Sequence, residues 1–241
     1  MSQRSRQALQ PQSSNRLLAD LSRRSRERLV ASSDLVDLAL GEMLSDSGGP
    51  VLHAYFPTAG FVSLIARLDG GARLEIGMIG NEGMLGAPLI LGSSTSIQDA
   101  VVQGHGAAWR VPAPRFRTIC ASDTSLRALL NRYVYVLMSQ LAQTAACGHF
   151  HSVDSRLARW LLMTQDRSHS SSFFVTHELL AHMLGVRRAG VSTAACSLRK
   201  EGLIRYHRGR ITILKRSGLQ RISCGCYRQA NDTYRHVLGL H

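Results

Sequence analysis

The sequence predicts an α+β chain in which an antiparallel β domain precedes a long helix and a C-terminal helical module. Three observations carry this. From about Leu35 to Pro112, short apolar or alternating runs are separated by turn residues, as in an antiparallel sandwich or barrel. After Pro114 the apolar period becomes helical and stays so. Near the C-terminus, two short amphipathic segments meet at a glycine and are followed by a basic alternating run.

Taken in order, residues 1–14 are polar, rich in Ser, Gln and Arg, and are expected to form a disordered tail. Leu17, Leu18, Leu21 and Leu29 suggest short amphipathic helices that open a β-rich domain over 15–114. The strand candidates are Val51–Phe56, Phe61–Ala66, Arg73–Ile79, Ala100–Val102 and Ala107–Val111, with turns at Gly48–Pro50, Pro57–Gly60 and Asp69–Gly71. Over 115–149 a helix from about Asp123 to Cys147 would be roughly 37 Å long. Its residues Leu126, Leu130, Tyr133, Leu137, Leu141 and Thr144 step by fours and threes, a seam suited to self-association, although such a helix also fits packing on its own sheet. Ser152–Met163 then opens a module over 150–220, with Leu157, Trp160, Leu161 and Thr164 on one face, and 221–241 form a C-terminal extension.

Within that module, Leu179, Leu180, Met183 and Leu184 give one helix a buried face, and Val191, Ala194, Ala195 and Leu198 give the next helix another. Gly185 supplies the turn, Thr176 a hydroxyl cap for the first helix, and Gly202 a left-handed stop for the second. These are the marks of a helix-turn-helix, though two such helices also fit any small bundle. The next segment favours the first reading, because Arg205–Leu214 has the pattern of a two-strand hairpin turning at His207–Gly209, a basic wing.

Charge points the same way. The chain carries 29 Lys+Arg against 16 Asp+Glu. Residues 149–241 hold thirteen Arg and two Lys against five acids, net +10, whereas 31–148 are net −2 and 1–30 net +5. A concentrated cationic field attracts phosphate polyanions with a steep salt dependence. The preference for Arg suits bidentate contacts to phosphate or guanine, and equally suits a GC-rich genome. No Walker loop, Gly-x-Ser-x-Gly or His-Glu-x-x-His motif is present, so no enzyme is expected. No apolar run approaches membrane-spanning length and the first residues lack a signal-peptide core, which predicts a cytoplasmic protein with reduced cysteines and no membrane partner.

The order of parts resembles the bacterial Crp/Fnr-type transcription regulators, relatives of the cyclic-AMP receptor. The resemblance spans nearly the whole chain after residue 15 and rests on Gly77–Gly86, the long helix, Arg156–Leu162 and Leu180–Val186 leading into the winged motif. It implies a cyclic-nucleotide-binding-like β-roll, a dimerising helix, and a winged helix-turn-helix that reads a pseudo-palindromic operator in double-stranded DNA as a homodimer, with RNA polymerase as a candidate partner. Carried over by position, the recognition helix begins near Arg187 and presents Arg187, Arg188, Ser192 and Thr193, with Arg188 at the base-reading position. Ala189 and Thr193 stand where many members have Glu and Arg, so the target should differ. Thr176, His177, Arg208 and Arg210 are the phosphate candidates.

The same alignment places Ala87 and Gln98, beside Gly86 and Asp99, where relatives hold the ribose and cyclic phosphate with Glu and Arg. A buried phosphate without its arginine loses charge-assisted bonds, so cyclic nucleotide binding is disfavoured unless Glu82 or Arg110 substitutes. The N-terminal region has no cysteine, which disfavours an iron-sulfur cluster. Cys147, His149 and His151 resemble a small metal cluster, but helical residues two apart point about 200° from one another, and no metal ligand or cofactor is assigned. Cys224 and Cys226 fit either a redox pair or small packing residues. The alternatives to a DNA-binding regulator are an RNA-binding or adaptor protein, and a redox- or metal-responsive regulator.

Overall fold

A computed structural model describes residues 15–239. The expected disordered tail at 1–14 lies outside the described residues. Two short helices, α1 (Arg16–Ala19) and α2 (Arg23–Ala31), sink Leu17, Leu18 and Leu29 into the core, with Leu21 buried between them. Asn15 and Ser22 cap them through their side chains.

The β domain is one antiparallel five-stranded sheet built from β1 (Asp34–Leu38), β2 (Met43–Ser45), β3 (His53–Arg67), β4 (Arg73–Ile79) and β5 (Asp99–Pro112). Strand order is β1-β5-β3-β4, with β2 also on β5. The structure corrects the predicted turn at Pro57–Gly60, because β3 and β5 each run continuously through what read as two strands. Register shifts at Pro57/Ala59 and Ala59/Phe61 absorb the proline, and the long strands bend there without ending. Glycine is required at this crossing: a Cβ on Gly106 would lie 2.0 Å from the Ala59 carbonyl oxygen.

A short helix α3 (Ala87–Ile90) follows the glycine-rich loop, and α4 (Ala113–Ser122) follows β5. The long helix α5 spans Thr124–Phe150, about 40 Å, and Asp123 caps it by accepting from the Leu126 amide at 2.9 Å. Residues 115–149 therefore hold two helices.

The predicted seam divides between environments. Leu126, Leu130 and Tyr133 are fully buried in the chain's own core, beside Leu17, Phe56 and Phe116, and Leu137, Leu141 and Thr144 are half-buried. The face left open is Asn131, Tyr135, Met138, Ala142 and Ala145, which also steps by fours and threes but is rotated around the helix.

The C-terminal module comprises α6 (Val153–Ser168), β6 (Ser172–Phe174), α7 (His177–Leu184), α8 (Arg188–Lys200), β7 (Ile204–His207), β8 (Arg210–Ile213), α9 (Arg216–Ile222) and α10 (Cys226–Leu238). The wing has three strands in the order β6-β8-β7, because Ser172–Phe174 pairs with β8 beside the predicted hairpin. The extension at 221–241 contributes α10, which lies along α5 with Gln143 Nε2 donating to Gln229 Oε1 at 2.7 Å.

The module is docked on the β domain by two buried polar contacts. Arg167 of α6 pairs with Glu82 of the glycine-rich loop at 2.7 Å, and Trp160 Nε1 donates to Glu75 Oε1 of β4 at 2.9 Å. Ser63 closes on the other Glu75 oxygen. Burial pushes the Glu75 carboxyl up to about 7, against the opposing pull of Ser63, Trp160, Arg167 and Arg159.

An acid that holds its proton more tightly when folded confers stability that is complete below about pH 4.5 and is lost as pH rises through about 7. Glu75→Gln keeps an oxygen for Trp160 and a donor for Ser63 but carries no charge. We expect it to match the parent near pH 4.5 in urea unfolding and to exceed it by up to about 3 kcal/mol at pH 8. Equal pH profiles for the two proteins would contradict a buried, proton-holding Glu75.

Candidate nucleic-acid interface

The helix-turn-helix follows from local rules. The Thr176 hydroxyl accepts from the Leu179 amide at 3.1 Å, and Gly185 ends α7 at φ +60°. Arg156 of α6 donates to the Leu184 carbonyl, one of the last unpaired carbonyls of α7. Helix α8 buries Val191, Ala194, Ala195 and Leu198 and stops at Gly202, φ +67°. Its other face is open: Arg188, Ala189, Thr193, Arg199 and Lys200 are exposed, as is Arg187 at the N-cap.

The predicted contact residues separate into two groups. Arg187, Arg188, Thr193, Thr176, Arg208 and Arg210 are exposed. His177 and Ser192 are half-buried and bonded to each other, Nδ1 to Oγ, at 2.9 Å across the two helices. The His177 ring also stacks on Tyr206 of β7, with centroids 4.4 Å apart and planes 17° apart. Burial, helped by the Arg188 charge, lowers the His177 pKa below the usual histidine range and favours the neutral ring. His177 therefore ties α7, α8 and the wing together, and Thr193 donates to its own helix at Ala189 O, 3.1 Å.

Position also sorts the cations of the +10 block. Arg156 and Arg216 serve the module's own packing, with Arg216 paired to Asp166 at 2.7 Å, Arg159 is buried, and Arg167 is paired with Glu82 of the β domain. Arg187, Arg188, Arg199, Lys200, Arg205, Arg208 and Arg210 form the exposed set on α8 and the wing. Sequence reasoning did not single out Arg199, Lys200 or Arg205; their signal was basic residues in the last turn of the helix and at an outward strand position.

At the wing tip Arg208 has φ +45° and Gly209 φ +77°, the two-residue turn that closes a tight hairpin. Arginine resists this left-handed conformation and asparagine tolerates it. We expect Arg208→Asn to raise thermal stability by about 0.5–1 kcal/mol. A loss of stability would show that the arginine side chain itself holds the turn.

The candidate effector residues lie in two settings. Gly86, Ala87 and Gln98 line a cavity of about 280 Å3 between the β domain and α5, together with Leu64, Ile76, Val134 and Leu137. No Arg, Lys, Asp or Glu lines it among the described residues. Asp99 is buried outside it, accepting from Arg67 at 2.5 Å and from the Ser47 amide at 3.0 Å. Of the substitutes for a phosphate ligand, Glu82 is held by Arg167, and Arg110 faces Asp34 at 3.4 Å.

Comparison with known proteins agrees with this geometry. Residues 155–222 match the Crp-like helix-turn-helix domain. No curated protein matches the chain. Among solved structures, a CRP/FNR-family transcriptional regulator from Thermus thermophilus is 22% identical, with 79% of this chain and 98% of that one covered and a TM-score of 0.66. FixK2 from Bradyrhizobium japonicum is 14% identical over 80% of this chain and 98% of its own, TM-score 0.66. The c-di-GMP-responsive global regulator CLP of Xanthomonas campestris is 18% identical over 80% and 99%, TM-score 0.64. The chain thus has the fold of the Crp/Fnr-type transcription regulators, and its residues 155–222 are similar to a Crp-like helix-turn-helix domain.

Proposed function

We propose that this protein is a transcription regulator that binds a pseudo-palindromic operator in double-stranded DNA as a homodimer, and that it acts by binding rather than by catalysis. The observation that carries this is α8: one face is sealed in the module's core, and the other offers Arg187, Arg188 and Thr193 to solvent beside a basic wing. A helix of this kind fits the major groove, where Arg188 reaches guanine O6 and N7. Arg208 and Arg210 neutralise phosphates, which fixes register and carries no sequence information.

The second copy is expected on the open face of α5, where Tyr135 is 61% and Met138 63% exposed. A stripe that repeats every three to four residues along about 40 Å of helix is suited to an identical stripe on a partner. Paired recognition helices then enter successive major grooves about 34–36 Å apart. A signal acting through the β-roll would reach α5 at Val134 and Leu137, and the uncharged lining favours a neutral apolar compound over a cyclic nucleotide.

Selection of bound DNA from a random pool, followed by gel shifts against RNA of the same sequence, tests the reading. A two-fold symmetric site preferred over RNA is the expected result, and sequence-independent binding would overturn it. Arg188→Ala should relax discrimination at one base pair per half-site by about 1–3 kcal/mol. Arg210→Ala should weaken all sequences alike and lower the salt slope by about 1. Identical behaviour of the two variants would remove α8 from its recognition role. Met138→Glu should convert the dimer to a monomer in sedimentation and reduce operator affinity by roughly 10²-fold or more. An intact dimer would place the interface elsewhere.

A further inference from the structure

At the far end of α5 the chain gathers a set of side chains with no part in reading DNA. Cys147, His151, Cys224 and Cys226 each turn a ligand atom inward, and these four atoms all lie within 4.8 Å of one another. Cys147 Sγ and Cys224 Sγ are 3.5 Å apart, and Cys226 Sγ is 3.6 Å from His151 Nδ1. Metal–sulfur bonds of about 2.3 Å at tetrahedral angles set neighbouring ligands about 3.8 Å apart.

The grouping differs from the Cys147, His149 and His151 cluster that the sequence suggested. His149 is on another face of the helix, as the spacing argument required, but Cys147 and His151 are four residues apart and share a face. The loop between α9 and α10 returns 77 residues later to supply Cys224, and the first residue of α10 supplies Cys226.

The surroundings suit a cation held by thiolates. The three cysteines are buried together, and His151 lies at the surface, which leaves a way in. Three thiolates and a neutral imidazole around a divalent ion carry one net negative charge. Arg159 of α6, itself buried, acts electrostatically on Cys147 and Cys226, and its Nε has no hydrogen-bond partner among the described residues. A buried guanidinium beside that site balances the surplus charge.

We propose that Cys147, His151, Cys224 and Cys226 form a closed tetrahedral site for a thiophilic divalent cation, with zinc the ion their chemistry selects. A four-ligand Cys3His set leaves no open position, so the ion's role is structural. His151 is the C-cap of α5 and Ser152 the N-cap of α6. The ion therefore pins α10 to the joint between the long helix and the DNA-reading module.

The test uses the full chain, purified under reducing conditions and loaded with Zn2+ or Co2+. The expected result is one ion per chain by mass spectrometry of the metal, and a cobalt form with tetrahedral visible bands and a thiolate-to-cobalt charge-transfer band. The double variant Cys224→Ser/Cys226→Ser should lose both, and His149→Ala should keep both. Should the double variant fail to fold, His151→Ala, altered at an exposed side chain, should retain the charge-transfer band and bind cobalt at least tenfold more weakly. Absence of stoichiometric metal in the parent, a Cys147–Cys224 disulfide in its place, or equal cobalt affinity in His151→Ala would overturn the site.

Discussion

The buried pair between Glu82 and Arg167 is the contact on which the arrangement of the molecule turns. Both side chains are only 9% exposed, and each would be costly to bury alone. Glu82 comes from the glycine-rich loop after β4, and Arg167 from α6, the first helix of the C-terminal module. Their attraction is strong only where water is excluded, so the loop and α6 must meet in one geometry or pay the desolvation of both. The glycines follow from this crowding. A Cβ on Gly80 would strike Glu82 and Arg167 within 2.7 Å, and one on Gly83 would lie 2.4 Å from the Tyr133 hydroxyl. Tyr133 donates from α5 to the Met84 carbonyl at 2.9 Å, so one loop contacts both helices.

This gives the β domain a physical hold on the module it carries. Glu75 receives Trp160 of α6 on β4, and Leu74 lies under the α7 turn, 2.8 Å from where a Cβ on Gly185 would stand. The apolar cavity beside Val134 and Leu137 sits on the same long helix whose far end meets α6. A shift of α5 against the β domain would therefore be felt at the ion pair and at the α5–α6 joint, two places where the orientation of α8 is set.

Much was legible from local pattern. The cap at Thr176, the left-handed stops at Gly185 and Gly202, and the buried faces of α7 and α8 depend on neighbours within a turn or two. Proline and glycine misled at Pro57–Gly60, because a turn signal and a bulge signal use the same residues, and only pairing along β5 distinguishes them. His177 and Ser192 read as outward polar residues, yet their bond to each other depends on how α7 crosses α8.

By itself, the sequence determined the α+β order of parts, the approximate length of the long helix, the winged helix-turn-helix and the basic character of its exposed face. These rest on periodicity, capping and charge, which are properties of contiguous residues. Tertiary structure decided which stripe of α5 faces the core and which stays open, since two heptad-like stripes run along that helix and only packing against Leu17, Phe56 and Phe116 selects between them. It also decided that Glu82 meets Arg167 and that Cys147 meets Cys224, residues 85 and 77 positions apart. Such meetings are set by the path of the whole chain, to which no local period is sensitive.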